Sequence, residues 1–284
     1  MKILRDIISL RQYRQGCPGT VGLVPTMGAL HEGHATLVRQ CATETDHTVV
    51  SIFVNPTQFG PGEDFERYPR NLEQDAALLA NLGTEAIFAP EVSSIYPPGT
   101  GHLSFAIRDL DQVLDAASRP GHMNGVLQVV AILFNLVQPH RAYFGLKDYQ
   151  QQLLLRTLVK ELHFPLDLVP CPIVREPDGL AMSSRNRYLS PEEREQALFL
   201  SRTLARLKAL RGTLSHQAEA QAEVEACLRD YPLVRLDYFD VLRGQDLQPL
   251  ATWAPTEFPV AFLAAYLGQT RLIDNMPLWE YPPV

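Results

Sequence analysis

The chain of 284 residues has no excess of basic charge, no long apolar run and no paired cysteine motif. Its 25 Lys and Arg stand against 32 Asp and Glu, a net charge of -7, so nothing draws the whole molecule to nucleic acid or to an anionic membrane. Any grip on an anionic ligand must therefore be local. No stretch approaches the ~20 apolar residues that span a bilayer. The best candidate, Val126 to Val137, is interrupted by Gln128 and Asn135. The opening MKILRDIISLRQ places Arg5, Asp6 and Arg11 inside its apolar pattern, so a secretory signal is not expected there. Cys17, Cys41, Cys171 and Cys227 are scattered, which argues against a zinc finger or disulfide framework and suits a reducing cytosol. There is no internal repeat and no low-complexity tract.

What is present reads as an ordinary globular protein, 46% hydrophobic and 20% charged, long enough for one large or two modest domains. Strand and helix signals alternate through the first 170 or so residues. Val21–Val24 is a short apolar run stopped by Pro25, and Ala35–Thr43 has helical spacing. Thr48–Val54 is β-branched and nearly continuous, as a buried parallel strand should be. Asn71–Leu82 predicts a helix with acids early, Ala86–Phe88 a strand, Val126–Gln138 a helix, Arg141–Phe144 a strand, Asp148–Leu162 a helix and Leu166–Val169 a strand. Repeated βα units imply an α/β fold with a parallel sheet, whose ligands bind where strand ends lead into helices. After Val174 the pattern changes. Ser190-Pro191-Glu192-Glu193 is a helix start, with helices expected over Pro191–Leu210 and Ser215–Asp230. Strands are expected over Val234–Leu242, Val260–Leu267 and Thr270–Ile273. The expectation is an α/β domain over residues 1–173 and a smaller α+β domain over 174–284, the boundary lying near Ile173 to Asp178.

Polar clusters gather at the strand ends. In LVPTMGALHEGHATLVRQC, His31 and His34 are three apart where zinc proteases need four, and no third ligand is evident. A simple turn and cap remains open. So does phosphate binding, because Gly28 and Gly33 let backbone approach a ligand, and a helix start offers N–H groups and a positive dipole end. In AMSSRNRYL, Ser183 and Ser184 supply hydroxyls and Arg185 a guanidinium fork suited to phosphate, although taken alone the stretch reads as a polar surface loop. In YFGLKDYQQ, Lys147 stands at a strand-to-helix turn, and Asp148 with Gln151 spells a capping box. Asn55 and Gln58 follow a buried strand in a Pro-Gly loop, where uncharged amides suit hydroxyl and carbonyl partners. His122 and Asn124 lead into the apolar helix, as caps or as a further wall of the same site.

Taken together, PTMGALHEGH (25–34), FVNPTQF (53–59), YPR (68–70), FGLKDYQQ (144–151) and DGLAMSSRNRYL (178–189) resemble the pantoate–β-alanine ligases, members of the HxGH nucleotidyltransferase superfamily. The resemblance runs from residue 21 to residue 189 in order. It implies a Rossmann-like nucleotide-binding domain and ATP-dependent joining of (R)-pantoate to β-alanine, with AMP and pyrophosphate released through a pantoyl adenylate. It also implies Mg²⁺ carried on the ATP phosphates with no protein-ligated metal, a cytoplasmic homodimer, and no nucleic acid or membrane partner. Carried over residue by residue, the nucleotide contacts are Met27, Gly28, Ala29, Leu30, His31, Glu32, Gly33, His34, Gly145, Leu146, Lys147, Asp148, Val174, Met182, Ser183, Ser184 and Arg185. Within that set His34 is the proton donor, acting with His31, Lys147 and Arg185. Pantoate falls to Gln58 and Gln151 with Asn55 and His122, and β-alanine to Gln58. Where the family commonly has Gly-Glu-Lys-Asp, this chain has Leu146, which leaves only backbone to meet a nucleotide at that position. The family's His-Phe at the apolar helix entry is His122-Met123 here. A plain nucleotidylyltransferase would share the HxGH and basic loops but leaves the amides at 55, 58 and 151 unexplained. A nucleotide-sensing or RNA-binding module is opposed by the acidic charge.

Overall fold

The computed structural model describes residues 1–99, 101, 103–107 and 109–280. In chain order the elements are β1 (Lys2–Leu4), α1 (Ile7–Gln15), β2 (Val21–Thr26), α2 (Glu32–Glu44), β3 (His47–Ile52), α3 (Leu72–Leu79), β4 (Ala86–Phe88), α4 (Val92–Ile95), α5 (Leu114–Ser118), α6 (His122–Val137), β5 (Arg141–Gly145), α7 (Tyr149–Glu161), β6 (Asp167–Cys171), α8 (Pro191–Gln196), α9 (Leu198–Ala209), α10 (Gln217–Leu228), β7 (Val234–Arg243), β8 (Pro259–Leu267) and β9 (Thr270–Pro277). They form two compact units. The first is Met1–Ile107 with Arg119–Leu146 and Leu154–Pro172, and the second is Arg108–Ser118 with Lys147–Leu153 and Ile173–Val284.

The first unit is the α/β layer that the alternating pattern implies. Six strands run parallel in the order β1-β4-β3-β2-β5-β6. Consecutive residues of β2 and β3 are buried, which requires both faces of the sheet to be covered. Val24, Val50 and Ile87 of neighbouring strands pack with Leu37, Val38 and Cys41 of α2 and Leu79 of α3. β2 continues through Pro25 to Thr26 instead of stopping at the proline. The reason lies in the ladder. The Thr26 carbonyl accepts from Phe53 N–H on the β3 side, so Pro25 faces the other side. There β5 pairs only with Gly22 and Leu23, and the missing N–H deprives no partner. β1, three residues with an exposed Lys2 and Ile3, is too short and too polar for its pattern to announce it, and it is recognised only by its pairing with β4.

Chain direction changes sides at β2. The β2–α2–β3 unit proceeds one way, while β5 lies on the other flank of β2. Ligands of open parallel sheets bind outside the carboxyl ends of strands at such a switch. Those ends are Thr26, Ile52 and Gly145, and the segments following them are the ones singled out above.

The second unit holds the antiparallel sheet β7-β8-β9 with α9 and α10. Phe199, Leu204 and Leu207 of α9 and Val224 of α10 pack on Phe239, Val241, Leu263 and Ala265. The helix expected over Pro191–Leu210 is divided at Ala197, where a 3₁₀-type bond from Leu200 N–H to the Ala197 carbonyl tightens the turn. Its start is as expected: Ser190 Oγ accepts from Glu193 N–H (3.1 Å), and Glu193 accepts from Ser190 N–H (2.8 Å). Segments 109–118 and 147–153 also belong to this unit. Asp115 meets Arg271 of β9 at 2.6 Å, Tyr149 donates to the Gly244 carbonyl, and Gln150 donates to the Leu110 and Val113 carbonyls. No helix among the described residues is long and apolar enough to cross a membrane.

Candidate active site

The segment after β2 is shaped by a carboxylate. Gly28 (φ +83) and Ala29 (φ +52) turn the chain through the left-handed region, and Asp75 of α3 accepts from Ala29 N–H (3.0 Å) and Leu30 N–H (2.8 Å). Asp75 is 4% exposed. A Cβ on Gly28 would stand 2.9 Å from its Oδ2 and 3.1 Å from Ile52. The group that comes close to Gly28 is thus the protein's own carboxylate, where the sequence pointed to a ligand. Two successive N–H groups around an anion make a nest, here filled from within.

The turn delivers His31 to the N-cap of α2 in extended conformation and His34 to the third helical position. His31 N–H donates to His34 Nδ1 at 3.4 Å, and the two rings lie 4.1 Å apart between centroids. With Nδ1 accepting, the neutral His34 ring carries its proton on Nε2, as a donor. Gly33 is half-buried in the same first turn, where backbone N–H groups and the dipole favour anions. The exposed Glu32 carboxylate is paired with Arg39, which holds it below the usual carboxylate range, so Glu32 offers the site its backbone only.

After β3, Asn55 caps a 3₁₀ turn over Pro56–Gln58. Asn55 is buried and fully engaged. Its Nδ2 donates to Gln58 Oε1 (3.0 Å) and to the Gly125 carbonyl (3.1 Å), and its Oδ1 accepts from Thr57 and from Tyr96 OH (2.9 Å). Burial raises the Tyr96 phenol, keeping it protonated for that bond. Gln58 Nε2 reaches Met27 Sδ at 3.2 Å, and His122 Nδ1 donates to the Gln58 carbonyl at 2.8 Å. Gly125 lets α6 approach this turn, since a Cβ there would lie 2.3 Å from the Thr57 carbonyl. Met27, Asn55, Gln58 and His122 therefore form one hydrogen-bonded cluster in the first unit. Asn124 accepts instead from Phe105 N–H at 2.7 Å.

A 3₁₀ turn over Leu146–Asp148 follows β5 and Gly145, and its last two residues, Lys147 and Asp148, are counted in the second unit. Asp148 belongs to that turn, and it is not the extended N-cap that a capping box requires. Lys147 Nζ lies 3.9 Å from Asp148, and the Lys147 carbonyl accepts from Asn275 Nδ2 at 2.9 Å. Of three consecutive glutamines, Gln150 is locked onto backbone and Gln152 is buried, leaving Gln151 half-exposed on the first turn of α7.

The stretch Ala181–Leu189, which taken alone reads as a polar surface loop, leaves a braced hairpin and runs into a 3₁₀ helix. Met182 N–H donates to the Val174 carbonyl, Arg175 bridges Ala181, and Gly179 (φ +99) makes the turn. Arg194 clasps Glu176 and Asp178, and Asn186 ties Glu176 to the Ala181 carbonyl. Ser183 then caps a 3₁₀ helix over Ser184–Tyr188 by accepting from Arg185 N–H. Ser183, buried Ser184 and half-buried Arg185 are thus presented on a fixed base.

Asp75, Arg175, Asp274 and Asn275 were not singled out in the sequence. Asp75 reads there as an ordinary first-turn acid, and Asp274-Asn275 fall just past the strand expected over Thr270–Ile273, which in the structure runs on to Pro277.

A family model described as pantoate–β-alanine ligase matches residues 2–277. A pantothenate synthetase of Roseiflexus sp. (strain RS-1) is 48% identical over 279 residues, 98% of this chain and 99% of that relative. Among solved structures, a pantothenate synthetase from Thermus thermophilus matches with a TM-score of 0.92 at 45% identity, covering 99% of this chain and 100% of that one. A pantoate–β-alanine ligase from Francisella tularensis, complexed with beta-gamma ATP and β-alanine, matches with a TM-score of 0.83 at 34% identity and 100% coverage of both chains. With the family model and these relatives spanning nearly the whole chain, the chain belongs to the pantoate–β-alanine ligase family.

Proposed function

We propose that this ATP-dependent pantoate–β-alanine ligase works through an enzyme-bound pantoyl adenylate, with the residues gathered above in named roles. A pantoate carboxylate oxygen attacks the α-phosphorus of ATP, and the bond from that phosphorus to the bridging oxygen breaks, releasing pyrophosphate. The amine of β-alanine then attacks the acyl carbon. AMP leaves, the amide forms, and the nitrogen loses its proton to solvent. The substrate supplies its own nucleophile, so catalysis is positioning and charge stabilisation. The observation that carries the reading is the pair of imidazoles at the start of α2, His31 at the N-cap and His34 in the first turn, with ring centroids 4.1 Å apart. His31 and His34 grip the phosphates and His34 donates to the leaving group. Lys147, Ser183, Ser184 and Arg185 neutralise the growing negative charge.

Met27, Gly28, Ala29, Leu30, Glu32, Gly33, Gly145, Leu146 and Asp148 line the nucleotide through backbone or position, Val174 lies on the adenine side, and Met182 opens the second grip. Gln58 and Gln151 take pantoate, Asn55 and His122 act by setting Gln58, and Gln58 also serves β-alanine. Mg²⁺ travels on the ATP phosphates and tempers their charge. The donor set, one lysine with hydroxyls, a guanidinium and imidazoles, is an anion grip, and it assigns the ion no protein ligand. The chain acts as a cytoplasmic homodimer, which light scattering checks as a species of twice the chain mass.

The test is ³¹P NMR of purified protein with ATP, Mg²⁺ and pantoate. Pyrophosphate and AMP accumulating over many turnovers only when β-alanine is added is the expected result. Absence of ATP cleavage by folded protein overturns the reading and directs attention to phosphorylated acceptors. Gln58→Ala is expected to raise the KM for pantoate about tenfold, the worth of one or two good hydrogen bonds, with the KM for ATP little changed. An unaltered pantoate response removes Gln58 from that role.

A further inference from the structure

Two adjacent residues of β9, Asp274 and Asn275, are each 3% exposed and belong to none of the roles above. Successive strand residues project to opposite faces, so neighbours on β9 can serve two different segments. They do. Asn275 Nδ2 donates to the Lys147 carbonyl at 2.9 Å. Asp274 takes both arms of the Arg175 guanidinium, Nη1 to Oδ2 at 2.7 Å and Nη2 to Oδ1 at 3.0 Å, and its Oδ1 also accepts from Asn275 N–H at 2.8 Å. Arg175 in turn donates to the Gly179 carbonyl and pairs with Ala181, the residue that leads into Met182–Arg185. One buried pair thus ends on the two segments of the second unit that carry Lys147 and Arg185. Asp274 is buried while the Arg175 side chain keeps 26% of its surface exposed, and such a pair is a poor device for stability alone, whereas a bidentate Arg–carboxylate pair fixes geometry tightly.

We propose that Asp274 and Asn275 are positioning residues that set, from a single strand, both segments gripping the ATP phosphates: Asn275 through the Lys147 backbone, Asp274 through Arg175 and the base of the Met182–Arg185 loop. The inference rests on the reading of Lys147 and Arg185 as phosphate-binding groups. Neither Asp274 nor Asn275 touches substrate.

A double-mutant cycle on the full-length enzyme tests it. Asn275→Ala, Lys147→Ala and the double variant are compared by kcat/KM for ATP in pyrophosphate release, with the KM for β-alanine and the melting temperature measured alongside. Asn275→Ala is expected to lower kcat/KM for ATP about tenfold in the wild-type background and less than about twofold when Lys147 is already gone, because residues acting through one group are not additive. The KM for β-alanine stays within about twofold. The same loss in both backgrounds means a merely structural role and overturns the proposal, as does no loss in the wild-type background while Lys147→Ala cripples the enzyme. Full activity of Lys147→Ala is a different result. It overturns the phosphate reading of Lys147, and the proposal falls with it. If Asn275→Ala does not fold, the isosteric Asn275→Asp enters the same cycle, replacing the donor with an acceptor facing the Lys147 carbonyl. Asp274→Asn with Arg185→Ala forms a second cycle, in which the same non-additivity is expected.

Discussion

Replacing His34 with alanine is expected to slow pyrophosphate release about 10²- to 10³-fold, the range found when one preorganised donor to a developing oxyanion is removed. The loss should fall on kcat more than on the KM for ATP, since in the role proposed for His34 the charge it would meet grows as the bond to pyrophosphate breaks. Folding should be little affected. His34 is half-buried in the first turn of α2, its contact from His31 N–H is long at 3.4 Å, and alanine is the better helix former. Single-turnover pyrophosphate release beside a thermal melt separates the two effects. A folded His34→Ala enzyme with wild-type turnover places the proton donor elsewhere.

The second large effect is structural. Asp75→Ala removes both carboxylate acceptors from Ala29 and Leu30 N–H in a buried turn whose backbone already lies at positive φ. Two buried donors left unsatisfied cost about 2–6 kcal/mol. Part of that loss should be local, because the turn that delivers His31 and His34 loses its carboxylate clamp. Hydrogen exchange at the Ala29 and Leu30 amides is the direct readout, with denaturant unfolding beside it. Exchange is expected to quicken at those two amides first, and activity to fall with it. Unchanged protection at both amides would show that the turn holds its shape without the carboxylate. Asp75→Asn keeps the volume and one acceptor, so its effect should be intermediate.

Asp75 illustrates where reading the sequence stops. Its place after Asn71 marks a helix start, and α3 does begin at Leu72 with Asn71 as its cap. Local pattern accounts for that much. Its bond to Leu30, across 45 residues of chain, follows no period that a sequence displays. The three glutamines of α7 show the same limit. Adjacent residues on a helix face different ways, and which of Gln150, Gln151 and Gln152 is buried depends on what packs there. Pro25 is a third case: a proline read as a strand end is tolerated because β5 has already diverged from β2.

The sequence by itself determined the order of the longer strands and helices, though not of β1 or the short helices α4 and α5, the parallel sheet that this order demands, and the polar segments at the strand ends. Each of these follows from short-range periodicity, caps and buried apolar runs, which the chain expresses locally. The motifs in those segments sufficed to identify the chemistry. Only the tertiary structure decided which polar groups hold the segments in place. Asp75, Asn55, Arg175, Asp274 and Asn275 satisfy buried donors and acceptors contributed by distant chain, as far as the 128 residues between Lys147 and Asn275. A buried polar atom must find its partner wherever folding brings one, and that partner is set by packing in space.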